Sequence, residues 1–296
     1  VRDREPTWLG LAWISPWIIG AAAFMLIPVC MSLATSFTDD PLLESPISVG
    51  LANWSRLLTD DVFWHSLWIT VLYAAISIPL CTVVSIALAG LLNVKLKGRW
   101  IFRAILFAPS IVPVVAAAMI WLWIFNGQLG LVNHLLDVVL APFGLHGPDW
   151  LGDRHWAMVA LVLVGLWGIG PSMVIYLAAL RDVPTDLLEA ANLDGMGWWH
   201  RFWHITIPLI SPVILFNIIV GVINSMQVFA LPYIMTQGGP DRSTYFYTMY
   251  LYDTGFKYGQ MGYASTLAWV QLLVILGLTA ITIRLGRRYV YYRSAP

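Results

Sequence analysis

Long apolar runs alternate with short polar stretches along the 296 residues, and six runs reach the ~20 residues a helix needs to cross a bilayer. They fall at about 10–36, 66–92, 102–125, 157–180, 205–231 and 262–283. The pattern predicts an all-α membrane protein with six transmembrane helices in one domain, 1–296. Proline recurs in and around the runs, at Pro16, Pro28, Pro79, Pro109, Pro113, Pro171, Pro208 and Pro212. Membrane helices tolerate such kinks where neighbours re-satisfy the freed carbonyls, so a bundle bent around a path and ordinary helix irregularity both remain open. The N-terminal VRDREPTW leads into a run long enough to span, which is not the pattern of a cleavable signal.

Between the fourth and fifth runs lies a polar, turn-rich insert, Pro184 to Pro212, PTDLLEAANLDGMGWWHRFWHITIPLISP. Asp186 with Glu189 three residues on reads as a capping box, Leu187, Leu188 and Ala191 share a face, Ala190 keeps the profile slim, and Asp194-Gly195 is a stop. The helix so defined has about two turns, roughly 12 Å at ~1.5 Å per residue. Isolated helices of under ~12 residues are marginal in water, so neighbours or a partner must hold it. A second helical start is expected at Gly197, followed by the bulky Trp198, Trp199, Phe202 and Trp203.

Composition agrees with a polytopic membrane protein: 59% hydrophobic, 11% charged, mean hydropathy +0.75. Net charge is zero, which implies no nucleic-acid-binding face. With six spans, both termini and the loops at 93–101 and 181–204 share a side. That side carries Arg2, Arg4, Lys95, Lys97, Arg99, Arg103, Arg181, Arg201, Arg284, Arg287, Arg288 and Arg293; the other carries Arg56, Arg154, Arg242 and Lys257. The positive-inside rule makes the first side cytoplasmic. The other holds acidic residues from Asp39, Asp40 and Glu44 through to Asp241 and Asp253.

The external segments are short. From about Trp54 a small amphipathic helix is expected, with Leu57, Leu58 and Phe63 facing the membrane surface, and loop 126–155 is expected to hold another interfacial helix. Trp100, Trp198 and Trp199 on one side, with Trp64, Trp121, Trp123, Trp150 and Trp156 on the other, read as two aromatic belts. Gly238-Gly239-Pro240 is a chain reversal. Cys30 and Cys81 lie in apolar runs and read as packing residues rather than a disulfide.

Catalytic chemistry is poorly represented. There is no G-x-x-x-x-G-K-[ST] loop to cradle a nucleotide, and no serine sits in a nucleophile-elbow setting. No acidic or basic residue lies mid-span, against the usual needs of proton-coupled carriers and voltage sensors, while sodium coupling through helix breaks stays open. His200 and His204, spaced i, i+4, share a helix face, but no carboxylate or cysteine accompanies them in a metal-binding pattern; no metal is expected. Gly221, Asn224, Ser225 and Val228 form one stripe of the fifth run. An Asn in lipid is costly, so this stripe faces protein or an aqueous cavity; helix–helix packing around Gly221 and a substrate path both fit.

Glu189-Ala190-Ala191, then Asp194-Gly195, then Ile207-Pro208 resembles the EAA loop of the membrane subunits of bacterial ATP-binding-cassette importers. SVGLANWSRLLTDDVFWHSL within 38–65, Thr236 with Gly238-Gly239-Pro240, and Gly262-Tyr263-Ala264-Ser265 resemble the carbohydrate-uptake branch of that family, over nearly the whole chain. The likeness is to the first permease of maltose-, glycerol-phosphate- and trehalose-type importers, without the maltose-type subunit's extra spans and external domain. The resemblance implies a type I importer permease fold, with Glu189, Ala190, Ala191, Asp194 and Gly195 in a coupling helix that docks on a cytoplasmic ATPase. It implies as partners a second permease forming a heterodimer, an ATP-binding subunit dimer and an extracytoplasmic sugar-binding protein, in an inner membrane, by alternating access. No cofactor is expected on this chain; ATP and Mg belong to the partner ATPase. By the same resemblance Trp167, Gly168 and Pro171 of the fourth span stand opposite the Gly221–Val228 stripe and complete a path for a neutral sugar. A self-sufficient secondary carrier or channel for a small neutral solute is the alternative.

Overall fold

The computed structural model describes residues 7–40, 45–94, 97–143 and 146–291; Arg2, Arg4, Glu44, Lys95 and Arg293 lie outside them. In chain order its helices are α1 (Thr7–Ala21), α2 (Ile27–Thr35), α3 (Ala52–Arg56), α4 (Asp61–Asn93) and α5 (Arg99–Phe107). There follow α6 (Val114–Ile124), α7 (Leu131–Leu140), α8 (Arg154–Trp167), α9 (Gly170–Arg181) and α10 (Thr185–Leu193). The last are α11 (Trp198–Arg201), α12 (Ile207–Met226), α13 (Ala230–Met235), α14 (Tyr247–Tyr252) and α15 (Met261–Gly286). A two-residue antiparallel pair, β1 (Thr38–Asp39) and β2 (Ile47–Ser48), sets Thr38 opposite Ser48.

Four helical stretches are long and apolar enough to cross a membrane: Gly10–Thr35, Asp61–Asn93, Trp198–Met226 and Met261–Gly286. Two bent pairs raise the number to six if each is one span. The third apolar run is therefore not the continuous helix its hydropathy suggests. Arg99–Ile111 and Val114–Ile124 meet at 100°, because Pro113 supplies no N–H and holds Val112 extended. The fourth bends by 52° between Trp167 and Gly170, one residue before Pro171. The fifth stops at Met226 instead of 231, since Phe229 leaves helical geometry and α13 starts anew.

Two other prolines are absorbed without a break. Ala22–Leu26 and Phe202–Thr206 are π-helical turns, each centred on the residue four before a proline, Pro28 and Pro208. A proline ring crowds that carbonyl and offers it no N–H, and the wider turn relieves both conflicts.

The chain divides into two compact units. One comprises Val1–Asp61 and Leu251–Leu272. Its first membrane-length helix buries none of its most apolar window in the chain. Gly50, at φ +59°, turns the backbone into α3, where the Asn53 amide donates to the carbonyls of Ser36 (3.1 Å) and Thr38 (2.9 Å) and Trp54 stacks on Phe37. Arg56 donates to Gln260 at 2.9 Å and lies 4.0 Å above the Tyr263 ring, whose hydroxyl donates to Asp60 at 2.5 Å. This polar latch draws Leu57 into the interior, leaving Leu58 exposed, so the expectation of one lipid-facing apolar face for Leu57 and Leu58 does not hold.

The other unit comprises Val62–Tyr250 and Leu273–Pro296. It contains two large apolar clusters at different levels of α4. Ile69 and Tyr73 pack with Phe125, Trp150, Leu161 and Phe246; Ile86, Ala89 and Leu92 pack with Met173, Leu177 and Ile210. Phe63 also points inward, edge-on to Tyr247, rather than to the membrane surface. Trp150 leaves the expected aromatic belt too: it is buried, and its indole N–H donates to Asn133 at 2.7 Å. The short helix expected in loop 126–155 is present as α7. The Thr236–Thr244 reversal is held by its own hydroxyls, Thr236 to Thr244 at 2.7 Å and Thr244 to the Gly239 carbonyl at 2.7 Å.

Candidate functional site

Between the two clusters the second unit leaves a cavity of about 250 Å³. Its level is set by α4, a 33-residue helix about 50 Å long with Ser77 at its midpoint. From α4 come Tyr73, Ser77, Cys81 and Thr82; from the bend between α8 and α9, Gly165, Gly168, Ser172 and Tyr176; from α12, Asn217, Gly221, Asn224 and Ser225, with Val228 just beyond. No lining residue is charged, while hydroxyls and amides are plentiful. Such a wall hydrogen-bonds a neutral polar solute and offers nothing to neutralise an ion.

The glycines set the shape. A Cβ on Gly221 would touch Ile78 at 3.4 Å, so the packing role expected of this residue and its place in the cavity wall coexist. The Tyr73 hydroxyl would lie 3.2 Å from a Cβ on Gly165. Ser225 donates to the Val222 carbonyl at 3.1 Å and Asn217 to that of Val213 at 3.0 Å, while Asn224 is exposed on the single chain.

Of the residues placed on the path by sequence, Gly168, Gly221, Asn224, Ser225 and Val228 line this cavity; Trp167 and Pro171 do not. Trp167 instead packs edge-on to Trp121, because the bend after it turns the indole away. The α4 contribution was missed, although Tyr73, Ser77 and Cys81 recur every four residues, a polar stripe visible in the sequence. Both cysteines are free thiols.

The second candidate element is α10. Its N-cap is Pro184 and no side chain caps it, so the expected Asp186–Glu189 capping box is not formed; Asp186 lies in the first turn instead. Its C-terminus is closed by backbone alone. The Met196 N–H donates to Ala191 at 2.9 Å and the Gly195 N–H to Asn192 at 3.0 Å, with Gly195 at φ +76°. Ala191 is buried and Leu188 packs on the Met173 cluster, while Glu189, Ala190, Asp194 and Gly195 face outward. Leu187 does not share the inward face, and Leu193 is 90% exposed. The helix thus sits on its own body by one edge and presents acidic and apolar side chains on the other. Beyond it, His200 and His204 stack at 3.9 Å, and the His204 Nδ1 lies 3.0 Å from the His200 carbonyl.

An uncharged polar cavity beside a membrane-length helix suits the passage of a neutral solute, and the comparisons show a transport subunit rather than an enzyme. Residues 82–290 match the family of binding-protein-dependent transport system inner membrane components, and the chain belongs to that family. It is 37% identical to a probable ABC transporter permease protein, YesP, of Bacillus subtilis, over 98% of this chain and 94% of that one. It is 32% identical to the trehalose/maltose transport system permease protein MalF of Thermococcus litoralis, covering 94% of each. The sn-glycerol-3-phosphate transport system permease protein UgpA of Yersinia pestis is 30% identical over 97% of each. Among solved structures, a chain of a bacterial ABC transporter that imports alginate superposes with TM-score 0.82 over 96% of both chains. At 22% identity that match speaks to the fold, which is the importer permease fold.

Proposed function

We propose that this chain is one of two different permeases in an ATP-driven sugar importer, forming half of the translocation path and receiving the ATPase stroke through α10. The observation that carries the reading is α10 itself: a nine-residue helix closed by Gly195, whose outward edge of Glu189, Ala190 and Leu193 is left uncovered by this chain. A helix this short is rigid only through its seat and its closing turn, which suits it to transmit a push from a docked partner. Asp194 and Gly195 end the lever, Ala190 lets the partner's cleft approach, and Ala191 seats the helix on its own subunit. The partner would be a dimer of ATP-binding subunits, where ATP and Mg are bound.

A neutral sugar as cargo is supported by the uncharged cavity wall and by relatives whose names specify trehalose/maltose and lactose transport. Gly168, Gly221, Asn224, Ser225 and Val228 are the proposed path residues, joined by Tyr73 and Ser77; Asn224, open on the single chain, is where the second permease would complete the enclosure. The apolar runs give six spans, and with six the twelve-to-four asymmetry of basic residues favours both termini and α10 in the cytoplasm. An extracytoplasmic binding protein would deliver the sugar and ATPase closure would open the path towards it.

The test is a tagged pull-down from native membranes in mild detergent, with companions identified by mass spectrometry. A phosphate-loop ATPase and a second permease in the eluate support the importer; the chain alone, transporting by itself, overturns it in favour of a secondary carrier.

A further inference from the structure

Helix α5 has a feature that neither the cavity nor α10 uses. Arg99 and Arg103 stand one turn apart on the same face, Lys97 precedes them, and all three are exposed. No Asp or Glu occurs in the sequence between Asp61 and Asp137, and among the described residues none of these three cations enters an ion pair. Two positions on, around the opposite side of the helix, Ile101 and Ile105 are exposed, as are Phe102 and, at 72%, Trp100. A short helix with unpaired cations on one side and bare apolar and aromatic side chains on the other has the chemistry of a water–lipid boundary. The backbone sets this helix apart, since it turns 100° away from α6.

We propose that α5 is a binding surface for anionic phospholipid headgroups, with Arg99, Arg103 and Lys97 on the phosphates and Trp100, Ile101, Phe102 and Ile105 among the acyl chains. Arg and Lys both suit this role, because each donates charge-assisted hydrogen bonds to phosphate oxygens. The same helix is clamped to the segment that leads into α10. A Cβ on Gly170, the first residue of α9, would lie 2.9 Å from the Phe107 Cα and 3.1 Å from the Leu106 carbonyl, both backbone atoms of α5. A lipid held on α5 therefore braces α9 where it starts. The proposal requires only that the chain sits in a bilayer, and stands whether or not the orientation and partners proposed above are correct.

The experiment is lipid retention by the full chain, with whatever companions it carries, in detergent micelles doped with phosphatidylcholine and phosphatidylglycerol at three to one. Native mass spectrometry counts the lipids that remain. The wild type should hold phosphatidylglycerol in preference to phosphatidylcholine. The pair Arg99→Gln with Arg103→Gln should lose at least about threefold of it, Arg99→Lys with Arg103→Lys should keep most of it, and Arg284→Gln with Arg287→Gln should lose none. Equal retention by the Gln pair and the wild type overturns the proposal. So does an equal loss with Arg284→Gln and Arg287→Gln, or an Arg99→Cys variant that cross-links to a companion protein in native membranes.

Discussion

Replacing Gly195 tests the lever idea with a perturbation confined to the backbone. At φ +76° the residue occupies the left-handed region, and a Cβ built on it meets nothing within 4 Å, so a side chain there costs strain and not collision. For an ordinary L-residue that strain is about 1–2 kcal/mol, and more for a β-branched one. The two bonds that close α10, from Met196 and Gly195 to the carbonyls of Ala191 and Asn192, form only with this turn in place. Relief of 1–2 kcal/mol by opening it shifts the ratio of closed to open turn by about 5- to 30-fold. Gly195→Val should therefore lower sugar flux per ATP hydrolysed by roughly tenfold in proteoliposomes of the complete complex, with the amount of inserted chain unchanged. Gly195→Asn, whose side chain tolerates the left-handed region, should keep most of the coupling. Wild-type flux per ATP in the Val variant, or equal loss in both, would refute the reasoning.

Three further outcomes are expected. Thr70 is buried, donates to the Ser66 carbonyl at 2.7 Å and accepts from the Tyr247 N–H at 2.9 Å. Thr70→Val removes the bond to that buried amide and should cost about 1–3 kcal/mol, seen as a lower unfolding temperature in detergent that Thr70→Ser restores; an unchanged midpoint contradicts the assignment. In a Cys30→Ala background, a small maleimide should block sugar flux by reacting with Cys81 in the cavity wall, and transported sugar should slow the reaction; full labelling with undiminished flux removes this cavity from the path. Asp153 caps α8 by accepting from the His155 N–H at 2.7 Å, a bond that holds its carboxyl below the usual range. Because the folded pKa is the lower one, its contribution to stability is complete above about pH 4 and fades only as pH falls through the depressed value. Asp153→Asn should therefore flatten the acid limb of the stability profile, and an unaltered limb would show that other carboxylates set it.

The permease character was legible along the chain because hydropathy, charge asymmetry and helix stop signals are local properties. Apolar runs of span length marked the membrane helices, and Asp194-Gly195 marked the end of α10, since a residue that must adopt φ +76° is nearly always glycine. The stripe from Gly221 to Val228 stood out because an amide in lipid needs a partner wherever the helix sits. What periodicity could not reveal was where each run bends and which of its faces turns inward. Val112-Pro113 breaks a run that is apolar throughout, and the bend at Gly168 swings Trp167 out of the cavity while leaving Gly168 in it. Hydrophobicity does not distinguish lipid from core, so Leu57, Phe63 and Trp150 fit a membrane surface in the sequence, and only packing in the folded chain turns them inward. The residue types and their spacing thus determined that helices, a glycine turn closing α10 and a polar stripe would exist. The tertiary structure alone decided that α4 joins that stripe around one cavity, because that depends on contacts between segments more than a hundred residues apart.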